Sequence, residues 1–297
     1  MKSETFSGVG VALVTPFDNK GLIDYTALSK LLDYIISGGI NFIAMLGTTG
    51  EPSTMSQDEK QNLKKFIVDY VKGRVPIMCG IGGNCTSAVI DEIKNTDFSG
   101  IDAVLSISPY YTKPNQRGIY EHFKAISEAS PVPIVLYNVP GRTSKNIEPA
   151  TIIKLAKDCK NIIAVKEASG NMSQIMQVLK NKPADLKLFS GDDALTVPMY
   201  SIGAEGVISV VANVAPKQFV KMINLCSQGK FEEASKIHFK MLDLMNALFE
   251  DGSPAGAKAA LAHLGIMNEN LRLPLMPVCD EVRAKVISSL DEVLKIE

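Results

Sequence analysis

Asn161-Ile162-Ile163-Ala164-Val165-Lys166-Glu167 is a short, mostly β-branched run that constrains how the whole chain can fold. Such a run is typical of a strand buried on both faces, as in parallel sheets covered by helices. Lys166 is unusual there, because a buried ammonium loses its hydration and tends to release its proton. A neutral amine on a rigid strand end can form a Schiff base with a ketone. The ordinary alternative is a lysine that reaches solvent.

Seven further runs of this kind alternate with segments whose apolar residues have helical spacing. The helical pattern is clearest at Tyr25–Ile36, Ser56–Val71 and Pro149–Asp158. Asp24 is an N-cap residue type, Ser56-Gln-Asp-Glu59 is a capping-box pattern, and Pro149 suits a first helical turn. The predicted strands are Gly8–Phe17, Phe42–Leu46, Pro76–Cys79, Ala103–Ile107, Pro133–Tyr137, Ile162–Lys166, Lys187–Phe189 and Gly206–Val210.

Eight strand–helix units with short connections predict an α/β fold, a (β/α)8 TIM barrel, since parallel strands need helical crossovers. A doubly wound open sheet is the alternative, but no Gly-x-Gly-x-x-Gly follows the first strand. Helical patterns continue at 216–228, 231–250 and 254–264, and again from about residue 280, after an extended Leu273–Pro277 stretch. We therefore expect a barrel over residues 1–215, and a barrel-closing helix with a helical C-terminal extension over 216–297.

The composition excludes several classes of function. The chain is 46% hydrophobic and 21% charged, with a net charge of −1. Without a long basic run, neither nucleic acid nor a membrane surface is an expected partner. The first residues lack a signal-peptide core and no segment has about 18 consecutive apolar residues, so we expect a cytoplasmic protein. The scattered cysteines and histidines indicate reduced thiols and no metal site.

The polar residues at the strand ends are the candidates for chemistry, because TIM barrels place their active sites there. Lys166 and Tyr137 end adjacent predicted strands, so we expect them to face each other across the mouth of the barrel. The remaining polar residues at these ends are Thr15, the segments 47–51, 82–84, 108–111, 138–142 and 190–193, and Ser209.

Three of these groups suit the binding of anions or the transfer of protons. The turn Gly47–Gly50 can present N–H groups and hydroxyls to a small carboxylate, although a simple turn with a helix cap is also compatible. Tyr137 can carry protons to and from a neighbouring amine. Arg142 can offer a bidentate fork to a second carboxylate, or pair at the surface. Asp192 or Asp193 is expected to cap the next helix.

Three segments together resemble the pattern of the dihydrodipicolinate synthase family: Gly47-Thr-Thr-Gly-Glu51, Tyr137-Asn-Val-Pro-Gly-Arg142 and Val165-Lys-Glu-Ala-Ser-Gly170. That family belongs to the pyruvate-dependent class I aldolases, together with N-acetylneuraminate lyase. The resemblance extends from about Gly8 to the C-terminus, with further matches at 108–111, 190–193 and 206–209. Several independent motifs in the same order make it specific.

The resemblance implies a condensation of pyruvate with L-aspartate 4-semialdehyde in lysine and diaminopimelate biosynthesis, without a cofactor. Lys166 would form the Schiff base with pyruvate. Tyr137, Thr48 and Tyr111 would relay protons, with Tyr111 reaching in from a neighbouring subunit of a homo-oligomer, a tetramer formed as a dimer of dimers. The implied substrate-binding groups are Thr48 and Thr49 for pyruvate, Arg142 for the aldehyde substrate, and the backbone of Gly191 and Ile208.

Two rival functions remain open at this stage. The first is a retro-aldolase for N-acetylneuraminate or a 2-keto-3-deoxy sugar acid. Arg142 disfavours it, because the sialic-acid lyases carry an apolar residue there. The second is a non-catalytic barrel that binds or regulates, which the joint presence of Lys166, Tyr137, Tyr111 and Thr48 disfavours.

The resemblance also bears on feedback inhibition, since many members of the family bind lysine at a dimer interface. This chain has Ala88 where sensitive members place a carboxylate, and Pro52, Gln57 and Lys60 where they offer serine and histidine contacts. A ligand ammonium needs an anionic or hydrogen-bonding partner to offset its desolvation. We therefore expect lysine to inhibit weakly or not at all.

Overall fold

Eight parallel strands close into a single barrel in the computed structural model, which describes residues 6–296. Each strand pairs with its neighbours in sequence order, and the last pairs back with the first. The strands are β1 Gly8–Ala12, β2 Phe42–Met45, β3 Ile77–Gly80, β4 Ala103–Ile107, β5 Ile134–Asn138, β6 Ile162–Glu167, β7 Lys187–Ser190 and β8 Gly206–Ser209. The predicted (β/α)8 TIM barrel is confirmed.

Helices follow the strands on the outside of the barrel and continue beyond β8. They are α1 Tyr25–Ser37, α2 Gln57–Val71, α3 Thr86–Lys94, α4 Gln116–Ala129, α5 Pro140–Thr143, α6 Pro149–Asp158, α7 Met172–Asn181, α8 Thr196–Ser201, α9 Pro216–Ser227, α10 Phe231–Glu250, α11 Ala255–His263 and α12 Asp280–Leu294. Between residues 6 and 296, no helix is long and apolar enough to cross a membrane.

The helix-start signals in the sequence correspond to real caps. The Asp24 carboxylate accepts a hydrogen bond from the N–H of Ala27 at 2.9 Å, at the start of α1. At α2 the predicted capping box is present: Ser56 Oγ accepts from the N–H of Glu59, and the Glu59 carboxylate accepts from the N–H of Ser56. Both caps satisfy N–H groups that a helix cannot bond internally, and so fix where these helices begin.

The first strand is shorter than predicted, ending at Ala12 and not at Phe17. Beyond Leu13 the backbone leaves the ladder, and the N–H of Val14 donates to the side-chain oxygen of Asn213 at 3.2 Å. Asn213 lies about 200 positions away in the sequence, so the local β-branched pattern could not predict that β1 ends at Ala12.

The N-terminal side of the barrel interior is filled by aromatic rings. Phe6 and Phe42 pack edge to face with centroids 5.2 Å apart, and Phe189 lies 6.0 Å from Phe42. Glycine is required at position 10 of β1, because a Cβ there would lie 2.1 Å from a ring carbon of Phe42. This side is therefore a packed core, and the carboxyl ends of the strands are where a TIM barrel places its active site.

The segment after β8 packs back onto the barrel. Helix α9 contacts β1, and α10 contacts α9, α11 and α12. The boundary between residues 215 and 216 stays a prediction. Residues 1–5 and 297 of the two predicted ranges lie outside the described residues.

Candidate active site

Lys166 and Tyr137 meet at the mouth because their strands pair in register. Tyr137 of β5 is the direct partner of Lys166 of β6, and directly paired residues place their side chains on the same face of a sheet. Nζ of Lys166 lies 4.3 Å from the centroid of the Tyr137 ring. Both residues are buried. The two side chains therefore face each other at the mouth as predicted, and an amine lies next to a phenol.

A cavity of about 490 Å³ opens in front of this pair. It brings together eight of the residues singled out from the sequence: Thr48, Thr49, Tyr137, Arg142, Lys166, Gly191, Asp192 and Asp193. Within residues 6–296, the Lys166 amine, the Tyr137 hydroxyl and the two threonine hydroxyls form no hydrogen bonds with protein groups. These donors are consequently available to a small polar ligand.

The threonines of the mouth lie in a constrained turn. Thr48–Gly50 is a single 3-10 turn, which leaves its first N–H groups without partners inside the turn. Leu46 and Glu51 bracket it with left-handed backbone, at φ values of 54° and 57°. Each such residue costs on the order of 1–3 kcal/mol, so the surrounding structure must hold it in place. The Thr15 hydroxyl helps to hold this turn in place, because it donates a hydrogen bond to the carbonyl of Gly50 at 2.8 Å.

A buried hydrogen-bond network lies on the outer side of the two strands that carry the reactive pair. It is centred on Asn138 and Glu167, the residues that follow Tyr137 and Lys166. Oε2 of Glu167 accepts hydrogen bonds from the side-chain amides of Asn138 at 3.0 Å and Gln174 at 3.1 Å. Its Oε1 accepts from the N–H of Ser169 at 2.7 Å. Asn138 also donates to the side chain of Asn146 at 2.9 Å. A fully bonded buried network of this kind fixes the relative position of its members.

The two aspartates after β7 have structural roles. Asp192 accepts from two N–H groups of the turn that leads into α8, but the N-cap residue is Leu195 and no side chain caps this helix, so the predicted aspartate cap is wrong. Asp193 accepts from the N–H groups of Val210 and Val211 at 3.0 and 2.9 Å, and so holds the end of β8. Burial raises the pKa of Asp193 to about 6. Within residues 6–296, no group of three or more His, Cys, Asp or Glu side chains could hold a metal ion.

A second cavity of about 400 Å³ adjoins the first. Thr48, Tyr137 and Arg142 line both, so they form the wall that the cavities share. Arg142 lies on the short helix α5, and its guanidinium has no hydrogen-bond or ion-pair partner within residues 6–296. Lys60 and Glu92 line the second cavity away from the shared wall. An anionic group in either cavity could therefore reach Arg142.

Two predicted site residues, Tyr111 and Ile208, line neither of the two cavities. The Tyr111 side chain is 86% exposed and lines neither cavity, and its backbone is left-handed with φ of 69°. Tyr110 lines the second cavity in its place. Ile208 is buried in β8 and is absent from the lining, whereas Val210 contributes to it.

Comparison with known proteins identifies the family of the chain. A model of the dihydrodipicolinate synthetase family matches residues 5–293, which is nearly the full chain. The chain belongs to this family.

Relatives in the dihydrodipicolinate synthetase family match over almost their entire length. A 4-hydroxy-tetrahydrodipicolinate synthase of Phocaeicola vulgatus is 49% identical, covering 98% of this chain and 97% of the relative. The Acinetobacter baumannii enzyme, solved in complex with pyruvate, has a TM-score of 0.94 at 36% identity, over 98% and 100% of the two chains. The Cyanidioschyzon merolae enzyme, solved with lysine bound, has a TM-score of 0.94 at 38% identity, over 97% and 98%.

Sequence reasoning missed the contribution of α10 to the first cavity. Met245, Asn246 and Phe249 of this helix form one of its walls. Their spacing indicates an amphipathic helix but gives no sign of which barrel element the helix covers. Glu92 was also missed, although it follows Ala88 by one turn of α3 and places a carboxylate in the second cavity.

Gly191 leaves room for the side chain of Lys166. A Cβ at position 191 would lie 3.0 Å from Cε of Lys166 and 2.8 Å from Cβ of Ala168. We expect Gly191→Ala to fold but to displace the amine, lowering the rate of pyruvate adduct formation on the order of 100-fold. Borohydride trapping followed by intact mass measures this rate. Gly141→Ala, which places its methyl group in open space, is the matched control, and equal rates in both variants would contradict the steric argument.

Proposed function

We propose that this chain condenses pyruvate with L-aspartate 4-semialdehyde to form 4-hydroxy-tetrahydrodipicolinate, a step of lysine and diaminopimelate biosynthesis. The observation that carries the proposal is the Lys166 amine against the Tyr137 ring, in a cavity that Arg142 also lines. Membership of the dihydrodipicolinate synthetase family supports it, as does the pyruvate complex of a relative.

The first stage is imine formation on Lys166. The Lys166 amine attacks the ketone carbon of pyruvate, and the resulting carbinolamine takes up a proton and loses its hydroxyl as water to give a protonated imine. Thr48 and Thr49 bind the pyruvate carboxylate through hydroxyl and N–H groups. Tyr137 lies beside the amine and transfers the protons that the addition and the dehydration require.

The second stage forms the carbon–carbon bond. The protonated imine withdraws electrons, so a methyl proton can leave through Tyr137 to give an enamine. The enamine carbon attacks the aldehyde carbon, and the aldehyde oxygen takes up a proton from the relay. Arg142 binds the carboxylate of the aldehyde substrate by its guanidinium fork. The substrate's own amine then attacks the imine carbon, which closes the ring and releases the Lys166 amine.

We also propose that the chain acts as a homotetramer in the cytoplasm, formed as a dimer of dimers in which Tyr111 completes the site of a partner. The large apolar side chains of Tyr111, Leu273 and Met276 are exposed, and their exposure supports contacts with other subunits. The biosynthetic names of the relatives support the cytoplasmic location.

Activity with the two substrates tests the proposed reaction directly. The purified protein should form product only when both pyruvate and L-aspartate 4-semialdehyde are present, and should not release pyruvate from N-acetylneuraminate. Tyr137→Phe should fold normally and lose roughly two to four decades in rate, the usual effect of removing a general acid or base. Cleavage of N-acetylneuraminate, or full activity in Tyr137→Phe, would contradict the proposal.

Replacing Arg142 should separate the two substrates. Arg142→Ala should raise the KM for L-aspartate 4-semialdehyde and leave pyruvate trapping intact, because only the second substrate needs the guanidinium. Arg117→Ala, which removes an exposed arginine on α4 away from both cavities, is the control. Equal damage to both substrates would instead indicate a structural role.

The shared site can be tested by mixing two inactive variants. If Tyr111 acts in the neighbouring subunit, a mixed dimer of Tyr111→Phe and Lys166→Ala contains one site with both groups intact. We expect such mixtures to recover part of the wild-type activity in a steady-state assay. Mixed dimers that form, as shown by native mass spectrometry, but gain no activity would refute the shared site.

Inhibition by lysine should be weak or absent. Lys60 places a cation in the second cavity, and Glu92 offsets its charge without adding a net negative charge for a ligand ammonium. Millimolar L-lysine should therefore leave the initial rate almost unchanged. A saturable fall in rate at sub-millimolar lysine would contradict this prediction, and its loss in Glu92→Gln would identify the carboxylate responsible.

A further inference from the structure

A completely buried ion pair joins the turn of the active-site mouth to the C-terminal extension. Nζ of Lys258, on α11, lies 2.5 Å from Oε1 of Glu51, and neither side chain is exposed to solvent. Glu51 directly follows the turn Thr48–Gly50, which supplies the two threonines of the cavity. The two partners are therefore far apart in sequence and meet next to the site.

The C-terminal extension also supplies the hydrogen-bond partners of this pair. Oε2 of Glu51 accepts from the N–H of Arg272 at 3.3 Å, and the Lys258 ammonium donates to the carbonyl of Asn270 at 2.9 Å. The Lys258 ammonium and the Arg272 guanidinium lie 4.3 and 4.4 Å from the centroid of the same ring, Phe17. One oxygen of Glu51 is therefore ion-paired and the other hydrogen-bonded, in both cases to residues that follow β8.

Stability alone is a poor explanation for burying these charges. A buried ion pair loses hydration on both sides, and apolar residues of similar volume are often as stable or more so. Desolvation lowers the pKa of Lys258 to about 8, although the charge of Glu51 opposes this shift. The pair does fix a residue whose left-handed backbone, with φ of 57°, sets the direction of the turn before it.

We propose that Glu51 and Lys258 are positioning residues that hold the Thr48–Thr49 turn in the geometry that binds the carboxylate of pyruvate. The C-terminal extension then sets the affinity for the first substrate without touching it. This inference rests on the proposed function, because it assigns the turn to pyruvate.

The test is the pyruvate concentration that half-saturates the borohydride-trapped adduct, measured by intact mass on the full chain. Lys258→Met should raise this concentration roughly tenfold or more, the loss expected when hydrogen bonds to a charged group are weakened. The maximal yield of adduct should stay unchanged, since Lys166 itself is intact.

Lys182→Met is the matched control. Lys182 pairs with Glu205 at 3.1 Å and donates to the carbonyl of Leu186 at 2.6 Å, so it makes the same two kinds of contact in a less buried pair at the opposite end of the barrel. Its loss should lower stability and leave the half-saturating concentration at the wild-type value. An equal rise in both variants would overturn the inference, because the effect would then follow from stability alone.

The double variant Glu51→Gln/Lys258→Met covers the case in which the single variant fails to fold. It leaves no unpaired buried charge, so it should retain near-normal stability. The inference predicts a raised half-saturating concentration in this folded variant as well. A wild-type value would overturn the inference but leave the proposed function standing, whereas a wild-type protein that forms no pyruvate adduct would overturn both.

Discussion

The pairing of β5 with β6 is the constraint on which the site depends. Successive residues of a strand point to opposite faces, so one register places Tyr137 and Lys166 in the mouth and turns Asn138 and Glu167 outward. The inward pair supplies the amine and the phenol, and the outward pair hydrogen-bonds at 3.0 Å. If the register of either strand shifted by one residue, its reactive side chain would point to the helices outside the barrel and not into the mouth. The network around Glu167 opposes such a shift.

The remaining walls of the site come from segments that lie far apart in the sequence. The turn after β2 supplies Thr48 and Thr49, the short helix α5 supplies Arg142, and α10 covers the cavity from the C-terminal side. The barrel alone therefore provides the reactive pair, while the geometry around the substrates depends on the segment after β8. The buried contact between Glu51 and Lys258 is the most direct link between these two parts.

The sequence predicted the parts that local patterns control. Seven of the eight strands lie within one residue of their predicted ends, because a fully buried parallel strand has a distinctive composition. Residues such as Lys166 and Tyr137 followed from their positions at strand ends. Long-range contacts could not be predicted from local patterns. Asn213 ends β1 early from a distant position in the sequence. Lys258 resembles an ordinary surface lysine on a helix until its partner Glu51 is known. Tyr111 is exposed, and its role in the site of a second subunit stays a prediction.

The central claim is that Lys166 is the residue that reacts with pyruvate. Treating the protein with pyruvate and borohydride, and then mapping the adduct by peptide mass spectrometry, tests this most directly. We expect one stable adduct per chain, on Lys166, and none in a folded Lys166→Ala variant. Lys64 and Lys258 are also buried, so they are informative internal comparisons. An adduct on either of them, or on any lysine other than Lys166, would contradict the account.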